Sequence, residues 1–160
     1  MRDIEESIRK GNDFEHYIAR LFDEKDQFTI VSWTTDIMRK HRNIKVEDDK
    51  NPDLKIRDNR DKEFFVECKF RSNLYKGALT WSNRYQLERY EIDEMVNEYF
   101  DETPTYVIIG LYGDANQPDH LYGIPLKEIQ YPKLYPSIFE KYEIDTNFKY
   151  LNNSDKEYML

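Results

Sequence analysis

The chain has 160 residues, 35% of them charged, with a formal net charge of −8. That length suits one domain with a real core, and neither a membrane-spanning apolar run nor a signal peptide is found. Cys68 is the only cysteine, which excludes an intrachain disulfide and points to a reducing cytoplasm, while the excess of acid argues against a generally basic nucleic-acid surface.

Residues 1–10 form a charged lead-in in which Ile4 and Ile8 have helical spacing. Asn12 or Asp13 then caps a helix whose apolar stripe is Phe14, Ile18, Leu21 and Phe22. Glu15 lies about 100° round from Phe14, on the edge of that stripe and toward the sheet margin. As an ordinary first-turn acid it would serve only the helix dipole. β-Branched and aromatic residues at 28–34 predict a first strand. The following stretch carries Arg39, Lys40, Arg42 and Lys45 without an acid, before Glu47, Asp48 and Asp49 partly cancel it.

A hairpin comes next. Leu54 and Ile56 alternate with Asp53, Lys55 and Arg57, and Phe64, Val66, Cys68 and Phe70 alternate with Glu63, Phe65, Glu67 and Lys69. Only pairings that set Leu54 and Ile56 against Val66 and Phe64 bury all four. The shortest such register uses Asn59-Arg60-Asp61 as the loop and places Asp53 opposite Glu67. Asp53, Glu67 and Lys69 then converge on one face, a cluster that a hard divalent cation held through oxygens would neutralise. The alternative is a solvated strand face. The acid-x-Lys pattern recurs at Asp23, Asp48 and Asp53, but only Glu67-Cys68-Lys69 sits inside a strong strand. Cys68 points to the apolar side as a small hydrophobe.

From Lys69 to Gln86 the chain has Lys69, Arg71, Lys76 and Arg84 but no acid, with Phe70, Tyr75, Trp81 and Tyr85 interleaved. With the basic run at 39–45 this makes a positive lip on either side of the hairpin, a nucleic-acid surface in kind or else a solvated loop. Residues 84–100 predict a helix with Tyr85, Ile92, Met95, Val96, Tyr99 and Phe100 on one stripe, and Gln86 and Tyr90 share a face near its start. A continuous apolar run at 105–111 reads as a central strand, 113–119 as a turn, 120–124 as a fifth strand and 125–129 as a short helix with an early proline. His120 belongs to an edge or surface and not to a ligand set. Residues 131–160 read as a wrapping segment with a loose tail. This order predicts an α/β fold with a mixed central β-sheet flanked by helices.

Pro52-Asp53, the short hairpin and Glu67-Cys68-Lys69 together resemble the PD-(D/E)xK nuclease superfamily, of restriction-endonuclease-like fold. The similarity is greatest to its Holliday-junction-resolvase-like and Mrr-like branches, whose preceding helix matches Gly11-Asn12-Asp13-Phe14-Glu15. Gln86 and Tyr90 resemble the Q-x-x-x-Y element of RecB-type members. The resemblance runs from about Gly11 to Leu126 and implies a single nuclease-like domain over 1–160, with its core at about 11–130. It further implies a Mg²⁺- or Mn²⁺-dependent DNA endonuclease, with Asp53, Glu67, Glu15 and the Cys68 backbone carbonyl at the metal. Lys69 would act on the attacking water or the transition state, with Gln86 positioning it. Arg39, Lys40, Arg42, Arg71, Lys76, Trp81, Arg84 and Tyr90 would meet the DNA. Nucleases of this branch often dimerise, although no stripe here names an interface. The reading from another class is a catalytically silent module that keeps the fold for interaction, which the charge of −8 favours.

Overall fold

The computed structural model describes residues 4–34, 53–82, 87, 88, 92, 103–149 and 151. Its strands are β1 (Phe28–Trp33), β2 (Leu54–Asp58), β3 (Glu63–Arg71), β4 (Leu79–Thr80), β5 (Thr105–Asp114), β6 (Gln117–Pro125), β7 (Lys133–Leu134) and β8 (Glu143–Ile144). Six of them form a mixed sheet in the order β1-β2-β3-β5-β6-β8, while β4 and β7 pair separately. Only β3 and β5 run parallel; the other neighbours in the large sheet are antiparallel. The mixed α/β architecture follows the expectation from sequence, with the β4–β7 pair and β8 as additions.

Alternation along β3 and β5 divides the apolar residues between two cores. Phe64, Val66, Cys68 and Ile108 pack with Phe14, Ile18 and Phe22 of helix α1 (Ile4–Asp23). Val107, Ile109 and Leu111 point the other way and pack with Leu79, Trp81, Leu126, Leu134 and Phe139. Both faces of β5 are therefore buried, as its unbroken apolar run requires. Gly110 lets α1 lie close to the sheet, since a Cβ there would come within 2.6 Å of the Phe14 ring.

α1 corrects one expectation. It begins at Ile4 and passes through Gly11 and Asn12, so neither Asn12 nor Asp13 is a cap. An internal glycine costs about 1 kcal/mol of helix propensity, and burial of Phe14, Ile18, Ala19 and Phe22 outweighs it. Exposed pairs such as Lys10–Glu6 at 3.6 Å and Arg9–Asp13 at 3.5 Å add little.

The expected turn at 113–119 is also shorter than its sequence suggests. β5 and β6 stay paired out to Asp114 and Gln117, leaving Ala115 and Asn116 as the loop. Of the expected helix at 84–100, Leu87, Glu88 and Ile92 are described and are helical. Leu87 is buried, whereas Ile92 is 56% exposed. Ile92 thus lacks the burial expected of the apolar stripe. The other residues of that stripe lie outside the described residues.

The described part of the C-terminal segment runs through β7, a single-turn helix α2 (Pro136–Phe139), and β8. Phe148 and Leu151 then return to the α1 core. Lys25 secures this return: its Nζ donates to the Thr146 carbonyl at 2.6 Å and stands 4.6 Å over the Phe148 ring. Burial lowers the Lys25 pKa, against the pull of Asp145 and Glu24. The expected loose tail at 152–160 lies outside the described residues. Among the described residues no helix is long and apolar enough to cross a membrane.

Candidate active site

The β2–β3 register decides which side chains meet. Leu54 pairs with Val66 and Ile56 with Phe64, so one further step along the ladder sets Asp53 across from Glu67. The hairpin closes through Asp58 N to Lys62 O at 2.9 Å, with Asp61 at a positive φ of 63°. That is a three-residue loop ending in a left-handed residue, a conformation aspartate tolerates.

β3 is nine residues long and β2 only five. Beyond Val66, β3 pairs with β5 alone among the described strands, which leaves a notch on its β2 side. Asp53 stands at the mouth of this notch and its Oδ2 accepts the Cys68 N–H at 2.8 Å. The carboxylate thus takes a backbone donor that no further β2 residue meets. On the neighbouring side of the notch, Lys69 Nζ lies 3.3 Å from Glu67 Oε1. Glu67 is buried, and Lys69 and Asp53 are half-buried.

The N-terminal half of α1 closes the notch into a cavity of about 300 Å³. Its lining includes Glu15, Asp53, Glu67, Cys68 and Lys69, together with Lys10, Asn12 and Ser72. Glu15 is buried at 3% exposure, so the acid expected at the sheet margin is enclosed with the other two. Lys10 reaches across from α1 to Ser72, with Nζ–Oγ at 3.5 Å.

No protein-family model matches the sequence, and no curated protein matches it. Among solved structures, the chain is similar to the Holliday junction resolvase Hjc of the archaeal hyperthermophile Archaeoglobus fulgidus, with a TM-score of 0.54. The match covers 85% of this chain and 91% of that one at 16% identity. The chain has the restriction-endonuclease-like fold.

Within that fold the donor chemistry of the notch fits a hard divalent cation. Asp53, Glu67 and Glu15 offer carboxylate oxygens in one cavity, the ligands Mg²⁺ and Mn²⁺ take. Cys68 is buried and packs with Phe14, Ile18 and Phe22 of α1, the small hydrophobe expected of it. Antiparallel geometry turns the Cys68 carbonyl to the same side as its N–H, toward Asp53. Against this, among the described residues no three His, Cys, Asp or Glu side chains are grouped closely enough to hold a metal by themselves.

Two residues expected at a DNA surface have other tasks. Trp81 is fully buried in the second core, with Nε1 donating to the Tyr131 carbonyl at 3.3 Å, so its ring cannot stack on a base. Packing against Leu79 and Leu134 claims it, a contact across 53 residues of sequence that local composition does not reveal. Arg71 lines the cavity, but its guanidinium donates to the carbonyls of Phe70, Thr80 and Trp81 at 2.7–3.1 Å. It clamps β4 to the end of β3, a structural task that the acid-free stretch did not announce. Lys76 is exposed. Arg39, Lys40, Arg42, Arg84, Gln86 and Tyr90, with Pro52, lie outside the described residues. Lys10 and Ser72 join the cavity without a motif to announce them; the one available signal was the helical spacing of Ile4 and Ile8, which extends α1 far enough to bring Lys10 there.

Proposed function

We propose that the chain is a nuclease that uses Mg²⁺ or Mn²⁺ to hydrolyse phosphodiester bonds in DNA, as one domain over 1–160 in a reducing cytoplasm. The observation that supports this is the sharing of one cavity by Glu15, Asp53, Glu67 and Lys69 at the open end of the hairpin. Asp53 and Glu67 would hold the cation, with Glu15 as a third acid and the Cys68 carbonyl as an added oxygen. When bound, such a cation supplies positive charge to the phosphodiester and acidifies water. Lys69 rests against Glu67 and from there stabilises the negative charge that grows on the phosphate as the bond breaks. Gln86 would help position the attacking water. Arg39, Lys40, Arg42, Lys76, Arg84 and Tyr90 would meet the nucleic-acid strand. The similar archaeal protein is a Holliday junction resolvase, which makes branched DNA the first substrate to try and a dimer the assembly to look for.

The second reading is a silent nuclease-fold module. It is favoured by the net charge of −8 and by the absence, among the described residues, of a three-ligand side-chain group. Single-turnover cleavage of duplex, branched and single-stranded DNA with Mn²⁺ separates the two. Lys69→Ala should leave Mn²⁺ affinity unchanged or slightly improved, because the ammonium repels a cation. Cleavage should fall by about 100-fold or more, as for loss of one preorganised electrostatic group. Equal cutting by both proteins would assign the activity elsewhere. Metal binding without cutting of any of the three DNAs would favour the silent module.

A further inference from the structure

Between β3 and β4 the chain makes a short excursion whose feet are pinned and whose tip stands in solvent. Tyr75 and Ala78 bond to one another in both directions, at 2.8 and 3.1 Å, around Lys76 and Gly77. Both central residues have positive φ, 51° and 78°, as a two-residue type I′ turn requires. Such turns favour Asn-Gly, and a lysine in the left-handed region is strained, a feature that gathers at functional sites. Ala78 is buried, Leu74 packs on the second core, and Arg71 holds the Thr80 and Trp81 carbonyls. Beyond these anchors Tyr75 is 65% exposed, with Lys76 Nζ 5.4 Å over its ring. Ser72 lines the cavity of the candidate site. Three residues of chain keep Tyr75 within about 10 Å of it, roughly the span of three stacked nucleotides.

We propose that this turn is a nucleobase-binding prong: Tyr75 stacks on an unpaired base of a DNA strand entering the cavity, and Lys76 meets that strand's phosphate. The proposal rests on the nuclease reading and narrows its substrate to DNA with unpaired nucleotides beside the cut site. Bases inside a continuous duplex are already stacked on their neighbours, so the ring has nothing to gain there. A rigid mount matters because stacking then orders little new protein when the strand binds.

Fluorescence anisotropy with a labelled single-stranded oligonucleotide and its matching duplex, in EDTA, tests the prong without cleavage. Tyr75→Ala should weaken single-strand binding about 5- to 150-fold, the range for one lost base–aromatic stack, and leave duplex binding unchanged. Tyr75→Phe should bind as wild type. Lys76→Asn, which suits the turn better, should lower the single-strand salt slope by about 0.7. Melting temperatures check that each variant is folded. Unchanged single-strand affinity in Tyr75→Ala, or an equal loss on the duplex, would overturn the prong. So would a wild type that binds neither DNA. Mn²⁺-dependent cleavage by wild type, lost in Lys69→Ala, reports separately on the nuclease reading and would survive any of those results.

Discussion

The β2–β3 hairpin carries a buried acid at each end, and the two are served differently. At the closed end Asp58 accepts hydrogen bonds from Arg60 N, Nε and Nη2 and from Lys62 N, all at 2.7–3.1 Å. Every one of these donors comes from its own turn, so the carboxylate builds the turn that buries it. At the open end Asp53 accepts the Cys68 N–H, Glu67 meets Lys69, and Glu15 arrives from a helix more than 35 residues earlier in the chain, all on one cavity. Folding the hairpin accounts for Asp58. It gives no reason to bring three acids and a lysine together at the other end, since like charges in one cavity oppose each other.

This contrast can be broken by substitution. The largest effect is expected from Glu67→Gln, which keeps the shape and removes the charge. Mn²⁺-dependent cleavage should drop by roughly 1,000-fold or more, as both the cation and a preorganised group are lost. The rise in melting temperature on adding Mn²⁺ should disappear, because a ligand stabilises only the state that binds it. The metal-free variant should melt no lower than wild type. A clear fall would make Glu67 a structural acid like Asp58.

Asp58→Ala should do the opposite. It strands the donors of Arg60 and Lys62 and, since Arg60 is partly solvated, should cost about 2–3 kcal/mol in urea unfolding. Cleavage per folded molecule should stay at the wild-type level. A loss of cleavage without a loss of stability would reverse the assignment of the two ends.

The smallest effect is a control that neither end should feel. The Tyr122 pKa is pushed up to about 12, first by burial and then by the carboxylates of Glu143 and Glu140. An unfolded tyrosine ionises near 10, so between the two values the folded state holds a proton that the unfolded state has released. Stability from this group is complete below about pH 10 and lost as pH rises toward 12. Tyr122→Phe should flatten that alkaline loss in urea titrations, whereas Glu67→Gln and Asp58→Ala should leave its slope intact.

The sequence by itself determined the hairpin and what stands at its open end. A strand repeats every two residues, so Leu54, Ile56, Phe64 and Val66 must share a face, and the shortest loop that allows this sets Asp53 opposite Glu67. The mixed sheet was legible for the same reason, from the alternation of β3 and the continuous apolar run of β5. Contacts between distant segments decided the rest. Gly11-Asn12 reads locally as a helix start, yet packing carries α1 through it and brings Lys10 and Asn12 to the cavity. Trp81 and Arg71 look like DNA-facing residues in an acid-free stretch. The β4–β7 pairing buries the ring, and the carbonyls of β4 and Trp81 claim the guanidinium. Burial depends on what arrives from elsewhere in the chain, and no local period records that arrival.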